Sequence, residues 1–260
     1  MRSINLQDEI NRIYDFIRQF TANNGFENVI VGLSGGIDSS LTATLAVNAL
    51  GKEHVHGIMM PYRTSHPYSL ADAQKLAEFL DIKTEIVDIS PMVDGYFHTY
   101  ETDADALRRG NYMARTRMCV LYDKSGKYKA LVAGTSNRSE ILTGYCTQYG
   151  DSACAFEPIG HLYKTEVRGM AKLLGIPAVI IEKPPTADLW ADQTDEKELG
   201  LTYTRLDAIL YAMMEKKLSD AQIIQNGYTQ EEIDRVKHLV RISAFKRRLP
   251  EAMEGVWSDS

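Results

Sequence analysis

The chain has 260 residues, 44% of them hydrophobic and 25% charged, an ordinary composition for a folded protein with enough apolar material for a substantial core. A formal net charge of −6, from 29 basic and 35 acidic residues, argues against a broad nucleic-acid-binding surface. No apolar run approaches membrane length, and Met1-Arg2-Ser3-Ile4-Asn5 leads into a mixed-charge amphipathic run rather than a signal sequence, so the expectation is a cytoplasmic protein with no membrane or nucleic-acid partner. The cysteines Cys119, Cys146 and Cys154 form no C-x-x-C pair and are odd in number, which suggests buried free thiols rather than a zinc site or a disulfide framework.

Apolar runs and helical periods alternate through the first half. The pattern predicts a helix over Leu6 to Phe20, a strand over Val29 to Leu33, a helix over Ser39 to Leu50, a strand over Val55 to Met60, a helix over Ser69 to Leu80 and a strand over Lys83 to Ile89. A long helix over Asp103 to Tyr122 and a strand over Ala130 to Gly134 follow. The second half reads as helices over Lys164 to Leu174, Tyr203 to Lys216, Asp220 to Gln225 and Gln230 to Arg247, with Ser219 and Thr229 as N-caps. Between them, Glu182 to Gly200 carries Pro184-Pro185 and the acidic cluster Asp192, Asp195, Glu196 and Glu198. It reads as an active-site flap or as a plain surface connection. Strand and helix alternation implies an α/β fold, a doubly wound parallel sheet with helices on both faces and a helical C-terminal region. With no repeat and no linker, 1–260 reads as one domain. Ligands bind such sheets beyond the carboxyl ends of the strands, where the turns after Leu33 and after Gly134 both fall.

The first of those turns carries the chemistry. In Val29-Ile30-Val31-Gly32-Leu33-Ser34-Gly35-Gly36-Ile37-Asp38-Ser39-Ser40 a strand runs through a Ser/Gly turn into a helix. Gly35 and Gly36 let backbone N–H groups approach an anion, Ser34 and Ser39 add hydroxyl donors, and the helix N-terminus adds its dipole. Asp38 would repel phosphate there unless a divalent cation stood between them, so it reads as a Mg²⁺ ligand on nucleotide phosphates. A Walker loop is excluded because no lysine follows the glycines, and a dinucleotide fingerprint because the next strand ends Met59-Met60-Pro61 without an acidic residue.

The loop resembles the Ser-Gly-Gly-x-Asp-Ser loop of the ATP pyrophosphatases, which adenylate a substrate and release pyrophosphate. Later segments narrow the likeness: Gly110 to Met118, Gly134 to Glu140, Gly144 to Asp151, Tyr163 to Arg168, Lys183 to Trp190 and Gln193 to Gly200 resemble, in order, ammonia-dependent NAD synthetase. The resemblance implies ATP contacts at Gly32, Leu33, Ser34, Gly35, Gly36, Ile37, Asp38, Ser39, Thr135, Lys164 and Thr186, with Mg²⁺ on Asp38 and Glu140. It implies deamido-NAD contacts at Arg115 and Lys246 and at Gln148, Ala155 and Phe245, the last three standing where many relatives have a lysine, an aspartate and a histidine. From the residues alone, Arg115 and Arg117 could equally be salt-bridging residues of a long helix.

The activity so implied is the last step of NAD biosynthesis. The nicotinate carboxylate of deamido-NAD attacks the α-phosphate of ATP, and ammonia then displaces AMP from the acyl adenylate. Asp38, Lys164 and Glu140 would serve catalysis, Asp188 could take the proton that ammonium sheds, and the flap would exclude water. The resemblance also implies a homodimer with deamido-NAD near the interface and no glutaminase domain. The alternatives are another ATP pyrophosphatase acting on a different acceptor, by GMP synthetase-like amidation or tRNA modification, and a nucleotide-binding protein without turnover. A GMP synthetase-like enzyme lacks a reason for the Arg115 and flap segments, a tRNA-modifying enzyme would bring a basic surface or a catalytic cysteine pair that the sequence lacks, and a protein without turnover lacks a reason for a pair of metal carboxylates.

Overall fold

Short runs of β-branched residues bounded by turns build the sheet of the computed structural model, which describes residues 2, 4–186, 188–190 and 193–251. Ala187 of the Lys183 to Trp190 segment and Asp192 of the acidic cluster lie outside the described residues, as do Met1 and Ser3. The first half alternates α1 (Leu6–Asn23), β1 (Asn28–Gly32), α2 (Ile37–Leu50), β2 (Val55–Met59), α3 (Pro67–Leu80), β3 (Lys83–Ile86), α4 (Ser90–Tyr100), α5 (Ala106–Tyr128) and β4 (Ala130–Val132). The rest is helical: α6 (Arg138–Thr143), α7 (Lys164–Leu173), α8 (Ala178–Ile181), α9 (Asp195–Leu199), α10 (Tyr203–Met214), α11 (Asp220–Gln225) and α12 (Gln230–Ile242).

All four strands are parallel, in the order β3-β2-β1-β4. Residues alternate between the two faces of each strand. Val29, Val31 and Leu33 join a core with α1, α2, α3, α7 and α8, whereas Ile30 joins a second core with α4 and α5. Helices thus cover both faces, as the alternation predicts, and each fully buried Ile or Val contributes roughly 1.5–3 kcal/mol. A third apolar cluster holds α9 to α12 together around Leu206, Ile209 and Leu210. The chain steps outward from β1 through β2 to β3 and then returns to the other side of β1 for β4, so the crevice between β1 and β4 is the switch point where ligands bind.

The differences from the predicted elements have local causes. Helix α2 begins at Ile37 rather than Ser39 because the Gly36 carbonyl already accepts the Ser40 N–H at 3.1 Å, which puts Asp38 in the first turn. Helix α4 has no clean apolar period; Asp88 starts it by accepting both the N–H and the hydroxyl of Ser90. Helix α5 starts at Ala106 under the Asp105 cap and runs on to Tyr128, ending at Lys129 in the left-handed conformation. Helix α6, unforeseen, is set by a reciprocal cap between Asn137 and Glu140. The last predicted helix breaks at Ser243, whose hydroxyl donates to the Leu239 carbonyl at 2.7 Å, and a 3₁₀ turn follows over Ala244–Arg247. Ser219 and Thr229 do cap α11 and α12. Cys119 is exposed and Cys146 and Cys154 are half-buried, so the expectation of three buried thiols is corrected. No helix among the described residues is long and apolar enough to cross a membrane.

Candidate active site

Beyond the carboxyl ends of β1, β2 and β4 opens a cavity of about 650 Å³. Its floor is the turn after β1. Gly35 holds φ at +74°, and a Cβ there would lie 2.2 Å from the Ser69 carbonyl oxygen, so only glycine lets the loop pass α3 this closely. The Ser34 hydroxyl accepts the Gly36 N–H at 3.2 Å and lies 3.0 Å from the Ser39 hydroxyl, which donates to the Gly36 carbonyl. These bonds shape a turn that opens into the N-terminus of α2, whose first N–H groups have no partner within the helix. Gly32, Leu33, Ser34, Gly36, Ile37, Asp38 and Ser39 all line the cavity. The second turn is equally tight: a Cβ on Gly134 would fall 2.4 Å from the Glu157 carboxyl. The N–H of Ser136 donates to that carboxyl at 3.1 Å, and Thr135 and Ser136 reach the cavity wall.

Three charged side chains from three helices meet where the turns converge. The Lys164 ammonium, on the first residue of α7, lies 2.5 Å from Asp38 Oδ2 and 3.0 Å from Glu140 Oε1 while only 2% exposed. Asn137 donates its side-chain amide to the other oxygen of Asp38 at 2.9 Å and its backbone N–H to Glu140 Oε2 at 3.2 Å, so a single residue orients both carboxylates. Burial would lower the Lys164 pKa, but Asp38 and Glu140 overcome it and hold the ammonium charged. Burial pushes the Glu140 carboxyl up, to about 8, with Lys164 opposing and Asp38 adding to the rise. Asp195, in α9, is also held above the usual carboxylate range by burial while accepting the hydroxyls of Tyr145 and Tyr203, each at 3.1 Å. Lys164 lies over the Tyr203 ring, 5.1 Å from its centroid.

The Glu182 to Gly200 segment forms a wall of the cavity rather than a plain surface connection: Lys183, Pro185, Thr186, Leu189 and Trp190 all line it. Lys183 reaches Asp72 of α3 at 3.3 Å, and the Asp188 carboxylate accepts the His66 N–H at the start of α3. Leu189 and Trp190 pack against Gly110 of α5, where a Cβ would meet them at 3.1–3.2 Å.

The acceptor-side residues divide. Lys246 lines the cavity and donates to the carbonyls of Gly144 at 2.8 Å and Cys146 at 2.7 Å. Arg115, Gln148, Ala155 and Phe245 do not line it. Arg115 is exposed, with Nε donating to the Gln148 carbonyl at 3.3 Å; Ala155 is exposed and Phe245 is 59% exposed. Arg117, by contrast, does line the cavity, donates to the Met60 carbonyl at 3.1 Å, and has its pKa lowered by burial. Neither arginine forms an ion pair with a described residue, which corrects the salt-bridge alternative. Asn137, Tyr145, Tyr203 and Arg117 escaped the sequence reading as site residues. Only Asn137, three residues before Glu140 in a capping-box spacing, carried a legible signal.

Among the described residues, no three His, Cys, Asp or Glu side chains form a metal cage. Asp38 and Glu140, brought together beside the Ser34 to Ser39 turn, could hold an ion that takes one or two carboxylates and fills its remaining positions with phosphate oxygens and water, as magnesium does. Around such a site, Ser hydroxyls, free helix N–H groups and a fixed ammonium can bind a polyphosphate and stabilise charge developing on it.

A model of the NAD synthase family matches residues 9–250. The chain is 45% identical over 247 residues to an NH(3)-dependent NAD(+) synthetase of Fusobacterium nucleatum, covering 95% of each. It is 49% identical over 245 residues to the enzyme so named from Trichlorobacter lovleyi, covering 94% of this chain and 85% of that one. Among solved structures, it is similar to an NMN synthetase from Francisella tularensis, with a TM-score of 0.87 and 28% identity over 97% of this chain and 100% of that chain. An NH3-dependent NAD synthetase from Campylobacter jejuni gives a TM-score of 0.83 and 35% identity over the same shares.

Proposed function

Because the chain belongs to the NAD synthase family, we infer that it is a carbon–nitrogen ligase that makes NAD from deamido-NAD, ATP and ammonia. The observation that carries this reading is the Asp38–Lys164–Glu140 constellation at the mouth of the Ser34 to Ser39 turn. A carboxylate oxygen of the nicotinate attacks the α-phosphorus of ATP, and the bond to pyrophosphate breaks. Ammonia then attacks the acyl carbon, AMP leaves, and one proton is released.

The chain's own groups bind and align rather than react. The turn amides, Ser34, Ser39 and Lys164 hold the phosphates, and Thr135 and Thr186 complete the ATP contacts. Asp38 and Glu140 would hold Mg²⁺, which when bound would supply charge to neutralise the departing pyrophosphate. Support for the ion is the donor set: two carboxyl groups meet beside the Ser34 to Ser39 turn, where a triphosphate would approach their oxygens through a cation. The Glu182 to Gly200 wall would keep water from the adenylate, and Asp188, which lines the cavity, would take the ammonium proton. The dinucleotide part of the acceptor extends past Lys246 toward Arg115, Gln148, Ala155 and Phe245. This reading includes a homodimer with the acceptor close to the interface, which sedimentation checks.

Purified protein with ATP, Mg²⁺, ammonium and deamido-NAD is expected to form equal amounts of NAD, AMP and pyrophosphate. Glutamine in place of ammonium is expected to give none. ATP cleavage with no NAD formed would move the assignment to another acceptor, and the corresponding mononucleotide is the first to try, given the likeness to the NMN synthetase.

A further inference from the structure

Asp207 is a buried carboxylate in an apolar helix. It is 2% exposed on α10, between Leu206 and the pair Ile209 and Leu210, all of which are fully buried. Withdrawing a carboxylate from water costs several kcal/mol unless its oxygens are satisfied. Both are, by two different elements. The Ser139 hydroxyl, on α6, donates to Oδ1 at 2.5 Å, and the Thr165 N–H, in the first turn of α7, donates to Oδ2 at 2.8 Å. The same Ser139 oxygen accepts the N–H of Lys164 at 3.0 Å. Ser139 immediately precedes Glu140, and Thr165 immediately follows Lys164.

We propose that Asp207 is a positioning residue for the adenylation chemistry: one buried carboxylate clamps the starts of α6 and α7 together and so fixes the Lys164 ammonium against Glu140 and Asp38. Asp207 does not line the cavity and touches no substrate, so it acts only through Ser139 and the backbone of α7. An ordinary helix cap would come from the residue just before α7. Tyr163 stands there and its hydroxyl donates instead to Glu215 at 2.9 Å, which leaves Ser139 and Asp207 to accept the N–H groups of Lys164 and Thr165. The requirement is tight because a displacement of 1 Å at a charge that must meet a transferring phosphoryl group can cost about a hundredfold in rate.

The inference rests on the synthetase reading above, and wild-type NAD formation measured in parallel keeps a failure of that reading apart from a failure of this one. Asp207→Ala is expected to lower kcat about tenfold to a hundredfold, the usual cost of removing a group that orients a catalytic residue. Asp207→Asn is expected to retain most of kcat, because its amide can donate to Ser139 Oγ while its carbonyl accepts the Thr165 N–H. The decisive measurement is the double variant. If Asp207 works through Lys164, Asp207→Ala in a Lys164→Ala background should cost less than threefold more in pyrophosphate release. An equal loss in both backgrounds, or wild-type kcat in folded Asp207→Ala, overturns the proposal. Should Asp207→Ala not fold, Ser139→Ala removes only the hydroxyl that joins the two helices. It is expected to lower kcat by at least fivefold, and full kcat in that variant overturns the proposal as well.

Discussion

Replacing Lys164 by alanine removes the cation that lies 2.5 Å from Asp38 and 3.0 Å from Glu140 in a position only 2% exposed. The rate consequence follows from the charge that develops on departing pyrophosphate. Losing one preorganised contact to it costs about 3 kcal/mol or more, roughly a hundredfold in kcat. The stability consequence has a magnitude that depends on pH. Breaking a buried ion pair costs about 3–5 kcal/mol, which for a protein of this size lowers Tm by on the order of 10 °C. Glu140 can escape part of that cost by taking up a proton. Its carboxyl is already pushed up to about 8 by burial, with Lys164 holding it down, so removing the lysine raises it further. A carboxyl raised in the folded state gives stability that is present below its unfolded value and is lost as pH rises through the folded one. The Tm gap between wild type and Lys164→Ala should therefore be smaller near pH 5, where the Asp38 contact is the main loss, than near pH 9, where the Glu140 contact is lost as well. Steady-state NAD formation at saturating substrates and calorimetry at both pH values measure the two effects. A variant within threefold of wild-type kcat, or a Tm gap that does not change with pH, would refute the reasoning.

Asp38→Asn and Glu140→Gln should each lower kcat by about a hundredfold with the fold intact, and wild-type turnover of either at saturating Mg²⁺ would remove that carboxylate from the site. Gly35→Ala places a side chain at φ +74° and 2.2 Å from the Ser69 carbonyl oxygen. Backbone strain of about 1–2 kcal/mol plus the clash should reopen the turn, seen as a raised KM for ATP with a lowered Tm; unchanged ATP kinetics would show the turn is not the phosphate site. Glu157, pushed up by burial from 4.5 to about 7, destabilises the fold as pH rises between those values. Glu157→Gln should be more stable than wild type by up to about 3 kcal/mol at pH 8 and no more stable at pH 4, and a pH-independent difference in chemical denaturation would contradict this. Phe245→Leu should change the KM for deamido-NAD and leave that for ATP alone; unchanged kinetics would assign Phe245 to packing.

The sequence by itself determined the parallel sheet and its ligand-binding edge, because strands buried on both faces read as short continuous apolar runs and the Ser34 to Ser39 turn follows one of them. It also marked Asp38 by its place in that turn, and the family resemblance of later segments marked Glu140 and Lys164. Local chemistry is enough for such features: a glycine at positive φ or a carboxylate among phosphate donors is odd wherever the chain later goes. What no local pattern could hold is the meeting of Lys164 with both carboxylates, since Asp38 and Lys164 lie 126 positions apart and face each other only because α2 and α7 pack on the same side of the sheet. Asp207 and Tyr203 read as ordinary positions of an amphipathic helix, and Arg117 as one of several arginines on α5. The places of Asp207 and Tyr203 beneath and around the site depend on how the C-terminal helices dock onto α6 and α7, and that of Arg117 on how α5 packs on the sheet. That docking is decided by shape and apolar burial across the third cluster, terms that depend on the whole tertiary arrangement and leave no period in the sequence.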